Sequence, residues 1–371
     1  MQKAQLACIV LPTYNEAENI SSLLEWIFRV AKSMRGWELH VLVVDDNSPD
    51  GTAGMVKKSM KKHHNTLHLL NGSKQGLGVA YVRGFTYAME KLNPAVIFEM
   101  DADFSHPPTM IPLFLKKIED GNDLVVGSRY IQGGNTPDWN LKRKIISRGG
   151  NLFARVVAGL NNVHDCTSGY RAIKASLLKS IDLQNLGAKG YSFQMNLLYE
   201  AVVKKAKIAE IPLVFHDRTK GQSKMKTSDL VEFFINSFHL RLRTWERFIK
   251  FSVVGTSGVA VNSIILAVLS YEFNVDYRFA SIAAIQSAIL WNFFLNDNWT
   301  FRDLRKKKPL LGKILKFEGI SILGAAMNWT VLVLLTEKLG VFYMISNLVG
   351  IAVAVTWNYL MNASYTWRED G

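Results

Sequence analysis

Four long runs of uncharged residues occupy the last third of the chain, and the shortest is 18 residues long. A helix of about 20 apolar residues is long enough to cross the hydrocarbon core of a bilayer. One such run could be a buried core helix, but four in series predict four membrane-spanning helices. The runs cover residues 251–271, 279–296, 319–336 and 339–367.

The charges between these runs predict an orientation. Seven Lys or Arg side chains lie between residues 302 and 316, against Asp303 alone, whereas the connections after the first and third runs are short and nearly neutral. Positive loops stay in the cytosol, so the N-terminal region, this middle connection and the C-terminus are expected there. The N-terminus carries no predicted signal peptide, because its apolar stretch begins at Leu6 and already ends at Pro12. We therefore expect an integral membrane protein with both termini cytosolic.

The membrane region contains an internal repeat of 66 residues, and each unit has two predicted spans, which makes the repeats parallel. The repeated Asn residues recur every four positions and share one helix face. They could hydrogen-bond between helices or line a path for a lipid or substrate. The shift pairs Gly258 with Gly324, Asn262 with Asn328, Trp291 with Trp357, Asn292 with Asn358, Asn296 with Asn362, and Thr300 with Thr366.

The segment 229–250 has apolar residues at helical spacing and basic residues over much of the remaining surface. This pattern is typical of a helix that lies among lipid headgroups, and the alternative is a helix packed on the preceding domain. We divide the chain into a domain at 1–228, an interfacial helix at 229–250 and a membrane domain at 251–371.

Composition narrows the choice of partners. The chain has 44 Lys and Arg against 31 Asp and Glu, a net charge of +13, for which anionic lipid headgroups are a sufficient partner. No basic helix carries interleaved aromatic residues, so no nucleic-acid partner is expected. Two cysteines, Cys8 and Cys166, exclude a disulfide-stapled scaffold and a cysteine metal cluster.

Strand-like and helix-like patterns alternate in the first domain, which predicts an α/β fold with a mostly parallel sheet. Ligands of such folds bind beyond the carboxyl ends of the strands. The helix-like runs include Ala17–Met34 and Gly78–Leu92. The strand-like runs are Leu6–Leu11, Leu39–Asp45, Val96–Met100 and Leu124–Gly127.

Polar clusters follow three of these strands: P-T-Y-N-E, V-D-D-N-S-P-D-G-T and D-A-D. The pair Asp50-Gly51 is predicted to form a turn. Asp101 and Asp103 flank a single alanine, so their charges repel, and a divalent cation would relieve that repulsion while it holds phosphate oxygens. The D-x-D pattern is short, but its place at a strand end beside two other polar clusters indicates a site.

Basic loops follow in the sequence, around Arg129, at 142–148 and at 216–224. Arginine binds phosphate with two parallel hydrogen bonds, so these loops opposite a carboxylate pair indicate a phosphate-rich ligand. The segment D-C-T-S-G-Y-R at 165–171 is predicted to form another wall of the site.

These motifs in order resemble the dolichyl-phosphate mannosyltransferases, which are family-two glycosyltransferases of the GT-A fold. The resemblance covers about residues 5–228, and residues 249–368 are similar to the GtrA-like four-helix membrane family. It is carried by the series P-T-Y-N-E, V-D-D-N-S-P-D-G-T, G-L-G-V-A-Y-V-R-G-F, D-A-D-F-S-H-P-P, G-S-R-Y, D-C-T-S-G-Y-R and H-D-R-T-K-G-Q-S-K. The series is specific to the polyprenyl-phosphate glycosyltransferases. It distinguishes mannose donors from glucose or aminosugar donors less sharply than it identifies that group.

The resemblance implies a metal-dependent hexosyltransferase that moves mannose from GDP-mannose to dolichyl or another polyprenyl phosphate, with inversion and with Mg²⁺ or Mn²⁺ as cofactor. It implies that Asp103 and Arg129 are catalytic and that the metal is held by Asp103 and Ser105. The implied donor-binding residues are Pro12, Tyr14, Glu16, Val44, Asp46, Asp101, Ala102, Asp103, Arg218 and Lys224. The implied acceptor-phosphate residues are Arg129, Arg143 and Ser147. Asp45 is expected to be structural.

Two alternatives stay open at this point. The same reaction could use UDP-glucose or a UDP-aminosugar, or the chain could be a non-catalytic carrier or flippase for a lipid-linked sugar. A processive polysaccharide synthase is less compatible, because the sequence lacks the Q-x-x-R-W signature expected of that group.

Overall fold

The computed structural model describes residues 4–186, 191–217, 227–304 and 309–367. The chain divides into two compact units, Met1–Arg241 and Leu242–Gly371.

The first unit is built on a seven-stranded sheet with helices on both faces. Its strands are β1 Gln5–Thr13, β2 Trp37–Asp45, β3 Leu67–Asn71, β4 Val96–Glu99, β5 Leu124–Ser128, β6 Arg171–Lys174 and β7 Ile208–Pro212. Its helices are α1 Ala17–Ala31, α2 Thr52–Met60, α3 Leu77–Tyr87, α4 Ile111–Glu119, α5 Leu141–Val157, α6 Ala175–Ser180 and α7 Tyr191–Val203.

The strand order is β3-β2-β1-β4-β6-β5-β7, and only β6 runs antiparallel to its neighbours. The prediction of a mostly parallel α/β sheet is therefore confirmed. The four strand-like runs all form strands, whereas β3, β6 and β7 were not predicted. Each of these three has only four or five residues and includes polar or charged side chains, so its apolar pattern is weak.

Side chains of β1 alternate between two hydrophobic layers. Cys8 and Val10 belong to one fully buried cluster, and Ile9 and Leu11 belong to the other. Successive side chains of a strand point to opposite faces, so a run that is apolar at every position identifies a strand covered on both sides. Each fully buried Ile or Leu contributes about 1.5–3 kcal/mol.

The parallel register brings the polar clusters to one edge of the sheet. Thr13 at the end of β1 lies beside Asp45 at the end of β2, and β4 pairs with β1 on the other side. Asn15, Asn47 and Phe104, in the three loops that follow, have positive φ values of 61°, 57° and 67°. Asn tolerates this conformation, but it is strained for Phe, and such strain is concentrated at functional sites.

The second unit consists of helices that are long and apolar enough to cross a membrane, which confirms the predicted spans. The helices are α8 Thr227–Ala267, which begins in the first unit, α9 Tyr277–Leu295, α10 Leu310–Val333 and α11 Tyr343–Met361. Including the turns that extend them, the four candidate spans among the described residues are Trp245–Glu272, Tyr277–Thr300, Leu310–Lys338 and Tyr343–Thr366.

The segment 229–250 is the first part of α8 and not a separate helix. Within the first unit, Phe233 and Leu240 are buried in the core cluster, so one face of the segment packs on the sheet domain. Val231 and Ile235, on other faces, are 53% and 51% exposed. The segment thus has both a packed face and an exposed apolar face.

Aromatic residues related by the 66-residue shift meet in the core of the membrane unit. Phe301 and its counterpart Trp367 stack with ring centroids 4.4 Å apart and an interplanar angle of 11°. Phe251 and its counterpart Phe317 are buried in the same cluster. The two repeats therefore contact each other through equivalent positions, which is compatible with a parallel repeat.

The repeated Asn residues pack against glycines of the neighbouring helix. A Cβ atom on Gly258 would overlap the amide of Asn292, and one on Gly324 would overlap the amide of Asn358. The Oδ1 atoms of these Asn residues have no hydrogen-bond partner within the described ranges. The expected interhelical hydrogen bonds are thus absent at these oxygens, and close approach at a small residue takes their place.

A buried ion pair occurs in the membrane unit without a repeated counterpart. Asp297 and Lys313 are 2% and 6% exposed, and Lys313 Nζ lies 2.9 Å from Asp297 Oδ1. Trp367 Nε1 donates to the same carboxylate oxygen at 2.8 Å. The residue 66 positions after Asp297 is Ala363. This ionic contact joins the end of α9, the start of α10 and the segment after α11.

Candidate active site

The D-A-D motif forms a tight turn beyond β4. Phe104 adopts the left-handed conformation, which lets Ser105 fold back onto Asp103. Both the Ser105 backbone N–H and its hydroxyl donate to Asp103 Oδ1, at 3.1 and 2.6 Å. Asp103 is 8% exposed and Ser105 2% exposed. The Ser105 hydroxyl therefore positions Asp103.

His106 accepts a hydrogen bond from the backbone of this turn. The Asp101 backbone N–H donates to His106 Nδ1 at 2.9 Å, and the imidazole stacks on Tyr170. Burial lowers the pKa of His106 to about 4, although Asp103 opposes the shift. His106 is therefore neutral at neutral pH, as an acceptor at Nδ1 must be.

Glu99, at the end of the strand β4 that precedes Asp101, forms a buried pair with Arg171. Glu99 and Arg171 are both fully buried, with Arg171 Nε 3.7 Å from Glu99 Oε2. Arg171 also donates to the backbone carbonyls of Gln194 and Cys166, at 2.7 and 3.1 Å. Burial raises the pKa of Glu99 to about 7, while the charge of Arg171 lowers it. Arg171, the last residue of D-C-T-S-G-Y-R, thus links that segment to β4, the strand that D-A-D follows.

Asp45 is structural, as predicted. It is fully buried and accepts hydrogen bonds from the Thr13 and Ser48 hydroxyls, at 2.8 and 2.7 Å. Ser48 also donates its backbone N–H to Asp45, at 2.9 Å. Asp45 therefore joins the loops that follow β1 and β2.

Asp50 confirms its predicted role in a turn. Gly51 has a φ of 87°, and Asp50 accepts from the hydroxyl and the backbone N–H of Thr52. Asp50 also accepts the Ala17 N–H at the start of α1, at 2.9 Å. Burial would raise the pKa of Asp50, but these hydrogen bonds lower it below its usual value.

Two cations lie among the predicted donor-binding residues. Arg83 of α3 forms an ion pair with Asp46, and Lys74 Nζ lies 3.5 Å from the centroid of the Tyr14 ring. Sequence analysis assigned neither cation. Pro12 and Val44, two of the predicted donor-binding residues, are paired neighbours in β1 and β2.

Arg129 is held by a buried carboxylate. Its Nε and Nη2 donate to the two oxygens of Asp165, at 2.7 and 2.8 Å, and its backbone N–H donates to Asp165 as well. Asp165 is fully buried; burial would raise its pKa, but the charge and hydrogen bonds of Arg129 hold that pKa below its usual value. A bidentate pair of this kind fixes the orientation of the guanidinium.

Arg143 is also held by a carboxylate, that of the half-exposed Asp217. Its Nη1 donates to both oxygens of Asp217, at 2.8 and 2.9 Å, and its guanidinium carbon lies 4.1 Å from the Trp139 ring centroid. Trp139 Nε1 donates to the same carboxylate at 3.1 Å. The start of α5 is thus fastened to the segment that leads towards 218–226.

Ser147 accepts the hydroxyl of Tyr130, at 2.6 Å. A cleft of about 430 Å³ opens beside this contact. Its polar lining includes Arg129, Tyr130, Arg148, Asn151, Arg155 and His164. Of the three predicted acceptor residues, Arg129 lines this cleft, Ser147 contacts its wall through Tyr130, and Arg143 is not among its lining residues.

Aromatic side chains connect the acidic and basic parts of the site. Phe215 contacts His106 edge to face, and the Arg129 guanidinium lies 5.5 Å from the Phe215 ring centroid. Arg129 is also among the charges that affect the pKa of His106. The structure thus brings D-A-D and Arg129 together around one aromatic cluster.

Two predicted residues, Arg218 and Lys224, lie outside the described residues. Among the residues that are described, no group of three or more His, Cys, Asp or Glu is arranged to hold a metal ion. Sequence analysis also missed Asp165 and Asp217 as individual residues. Both stand in motifs that it singled out, but their arginine partners are 36 and 74 positions away in sequence.

Comparison with known proteins shows the family of the chain. Residues 8–182 match the model of glycosyl transferase family 2, and residues 250–367 match that of the GtrA/DPMS transmembrane domain. A dolichol-phosphate mannosyltransferase of Pyrococcus furiosus is 34% identical over 367 residues, covering 97% of this chain and 98% of the relative. The chain belongs to this family of membrane-anchored glycosyltransferases.

Two further comparisons, one with a curated relative and one with a solved structure, cover about two thirds of the chain. A polyprenol monophosphomannose synthase of Mycolicibacterium smegmatis is 35% identical over 233 residues, which is 62% of this chain and 85% of the relative. Among solved structures, the mannosyl-3-phosphoglycerate synthase of Rubrobacter xylanophilus superposes with a TM-score of 0.51 at 20% identity, over 66% of this chain and 75% of that one. That likeness shows the GT-A fold of the first unit.

Proposed function

We propose that the chain transfers mannose from GDP-mannose to a dolichyl or other polyprenyl phosphate, with inversion, and releases GDP. The observation that carries the proposal is the 34% identity to a dolichol-phosphate mannosyltransferase over almost the whole chain, including the membrane domain. The edge of the sheet where Asp101, Asp103 and Asp46 gather supports the donor site.

The chemistry needs few catalytic groups. The acceptor phosphate is already an oxyanion at neutral pH, so no strong general base is required. A single displacement on the sugar inverts the anomeric centre. The demanding part is to hold two anions close together and to stabilise the diphosphate that leaves.

The residues at the D-A-D turn suit a divalent cation. Mg²⁺ and Mn²⁺ prefer oxygen ligands, and Mg²⁺ is often held by one or two carboxylates together with substrate phosphates. Asp103 would supply the carboxylate, and Ser105 fixes the orientation of that carboxylate. When bound, the cation supplies positive charge next to the leaving diphosphate. We assign Asp103 as its ligand and Ser105 as the residue that positions Asp103.

The acceptor phosphate is assigned to the basic cleft beside Arg129, Arg143 and Ser147. Asp165 and Asp217 offset much of the charge of the two arginines but keep their guanidinium groups oriented. The cleft gains further positive charge from Arg148 and Arg155. We propose that this arrangement aligns the phosphate without binding it so tightly that the product is retained.

Two parts of the proposal lie beyond the described site. Arg218 and Lys224 are assigned to the donor diphosphate from the resemblance alone. The four spans place the protein in a lipid bilayer, and the charge pattern supports a cytosolic location for the catalytic domain and both termini. An acceptor with its polyprenyl chain in the bilayer would explain why the catalytic domain is attached to membrane helices.

Transfer of labelled sugar to a short polyprenyl phosphate tests the proposal, with GDP-mannose and UDP-glucose compared, each with and without Mn²⁺. We expect metal-dependent transfer from GDP-mannose alone. Transfer from UDP-glucose would contradict the assigned donor but keep the reaction class. Nucleotide binding without transfer from either donor would contradict the enzymatic assignment and favour a carrier.

A further inference from the structure

Asn151 lies in α5 and makes hydrogen bonds through every part of its amide, although sequence analysis gave it no role. It is 3% exposed. Its Nδ2 donates to the Ser147 carbonyl, one turn earlier, at 3.0 Å, and to the Thr167 hydroxyl at 3.3 Å. Its Oδ1 accepts the Cys166 backbone N–H at 2.7 Å. The carboxamide thus supplies both the two donors and the acceptor that these contacts require.

Thr167 extends this network to Arg129. Its hydroxyl accepts from Arg129 Nη2 at 2.8 Å and donates to Asp165 Oδ1 at 3.3 Å. A hydroxyl has one donor and two acceptor positions, and the contacts with Arg129, Asp165 and Asn151 use all three. The Arg129 guanidinium, its buried carboxylate and α5 are therefore joined through one threonine.

The network connects two residues that are assigned to the acceptor phosphate. Arg129 is held by the segment 165–167, whereas Ser147 belongs to α5. Arg129 and Asn151 both line the basic cleft. Because the Asn151 amide bonds to the segment 165–167 as well as to the Ser147 carbonyl, it determines how far the guanidinium lies from this turn of α5.

We propose that Asn151 is a positioning residue for the acceptor phosphate, which holds the segment 165–167 against α5 and so sets the separation of Arg129 from Ser147. The inference rests on the proposed function, because Arg129 and Ser147 are assigned there to that phosphate. A group that is displaced by about 1 Å from its productive geometry can cost about 100-fold in rate. The separation of the two residues therefore matters for alignment of the acceptor.

Asn196 provides a matched control in the same unit. It is 6% exposed, its Nδ2 donates to the Leu186 carbonyl at 2.6 Å, and its Oδ1 accepts from Asn236 Nδ2 at 2.6 Å. It joins α7 to α8, and it is not among the described residues that line the basic cleft. An asparagine with a purely structural role should behave like Asn196.

The test is steady-state transfer by the detergent-solubilised full chain with Mn²⁺ present. A short polyprenyl phosphate is varied in one series and GDP-mannose in the other. We expect Asn151→Ala to lower kcat/KM for the polyprenyl phosphate by about 10- to 100-fold, while KM for GDP-mannose changes by no more than a few-fold. Asn196→Ala should lower the unfolding temperature but leave KM for the polyprenyl phosphate unchanged.

Variants of Thr167 test the same link from its other side, and they decide the question if Asn151→Ala does not fold. Thr167→Val removes the hydroxyl, so kcat/KM for the polyprenyl phosphate should again fall by about 10-fold or more. Thr167→Ser keeps the hydroxyl and should restore most of the wild-type value. The combination of Asn151→Ala with Thr167→Val should lose less than the product of the two single losses, because both changes break one link.

The outcomes separate this inference from the proposed function. Equal losses for acceptor and donor in Asn151→Ala and Thr167→Val, or no loss, would overturn the inference. A Thr167→Ser protein as impaired as Thr167→Val would overturn it as well. A wild-type protein that transfers no mannose would instead contradict the proposed function, and calorimetric binding of the polyprenyl phosphate to the same variants would then decide the role of Asn151.

Discussion

Buried polar side chains are arranged differently in the two units. In the catalytic unit, residues such as Asp103 and Asp165 occur once and gather at one edge of the sheet. In the membrane unit, most buried polar positions occur twice, 66 residues apart, and Asn292 packs on Gly258 as Asn358 packs on Gly324. The duplicated Asn292 and Asn358 serve contacts between helices, whereas a single group such as Asp165 holds one particular partner in place.

Asp297 is one of the buried polar residues of the membrane unit that are not repeated. Its ion pair with Lys313 has no repeated equivalent, because Ala363 stands at the matching position. Asp297 therefore resembles the buried polar residues of the catalytic unit, which occur only once. Among the described residues it contacts Lys313 and Trp367, which identifies it as a restraint that joins helix ends.

The largest effect is expected at Asp103. Asparagine there removes the negative charge that would hold the cation, so we expect mannose transfer to fall by about 10³-fold, with the fold retained. Steady-state transfer assays over a range of Mn²⁺ concentrations check this. Asp50→Asn is the control: it removes one of the two oxygens that accept from Ala17 and Thr52, at a cost of about 0.5–1.5 kcal/mol, but should leave the metal dependence intact. Equal losses of activity in both variants would contradict the assignment.

An intermediate effect is expected at the single ion pair of the membrane unit. Asp297→Ala leaves Lys313 buried without its partner, and breaking a buried pair costs about 3–5 kcal/mol. Thermal unfolding of the full chain in detergent should show the loss.

Removing the second charge provides the control for this prediction. The double variant with Asp297→Ala and Lys313→Met should recover much of the stability, because no unpaired charge is left. A double variant that is no more stable than Asp297→Ala would show that Asp297 acts through another contact, such as Trp367.

The smallest effect is expected at Thr366 and Thr300, which are the same position in the two repeats. Thr366 donates its hydroxyl to Asn362 at 2.7 Å, whereas the hydroxyl of Thr300, its counterpart, is buried with no hydrogen-bond partner among the described residues. Thr366→Val should therefore cost about 0.5–1.5 kcal/mol, and Thr300→Val should be neutral or slightly stabilising. Unfolding of both variants in the same detergent measures the difference. Equal changes would indicate that the two repeats do not differ here.

The place of the site could be predicted because local patterns determine it. The apolar runs before Pro12, Asp46 and Asp101 identify buried strands, and parallel strands bring their carboxyl ends to one edge. The membrane spans and their repeat were likewise visible, since length and charge alone distinguish a spanning helix.

The partners of the site residues could not be predicted, because they depend on contacts between distant segments. Arg129 was assigned from its motif, but its bidentate bond to Asp165 requires the antiparallel strand β6, which has only four residues. Sequence likewise showed the repeated Asn residues but not the glycines that they contact across helices. Arg83 stands in the motif G-L-G-V-A-Y-V-R-G-F but received no individual role, because its partner Asp46 is 37 positions away in sequence.

The π-helical turns of the membrane unit occur at equivalent positions of the two repeats. They occur at Val268–Glu272 and Leu334–Lys338, and again at Asn296–Thr300 and Asn362–Thr366, so each pair is separated by the repeat length. Such turns are rare departures from the α-helix. If the two repeats had acquired both turns independently, four separate events would be required. One duplication of a two-helix unit that already contained both turns accounts for all four.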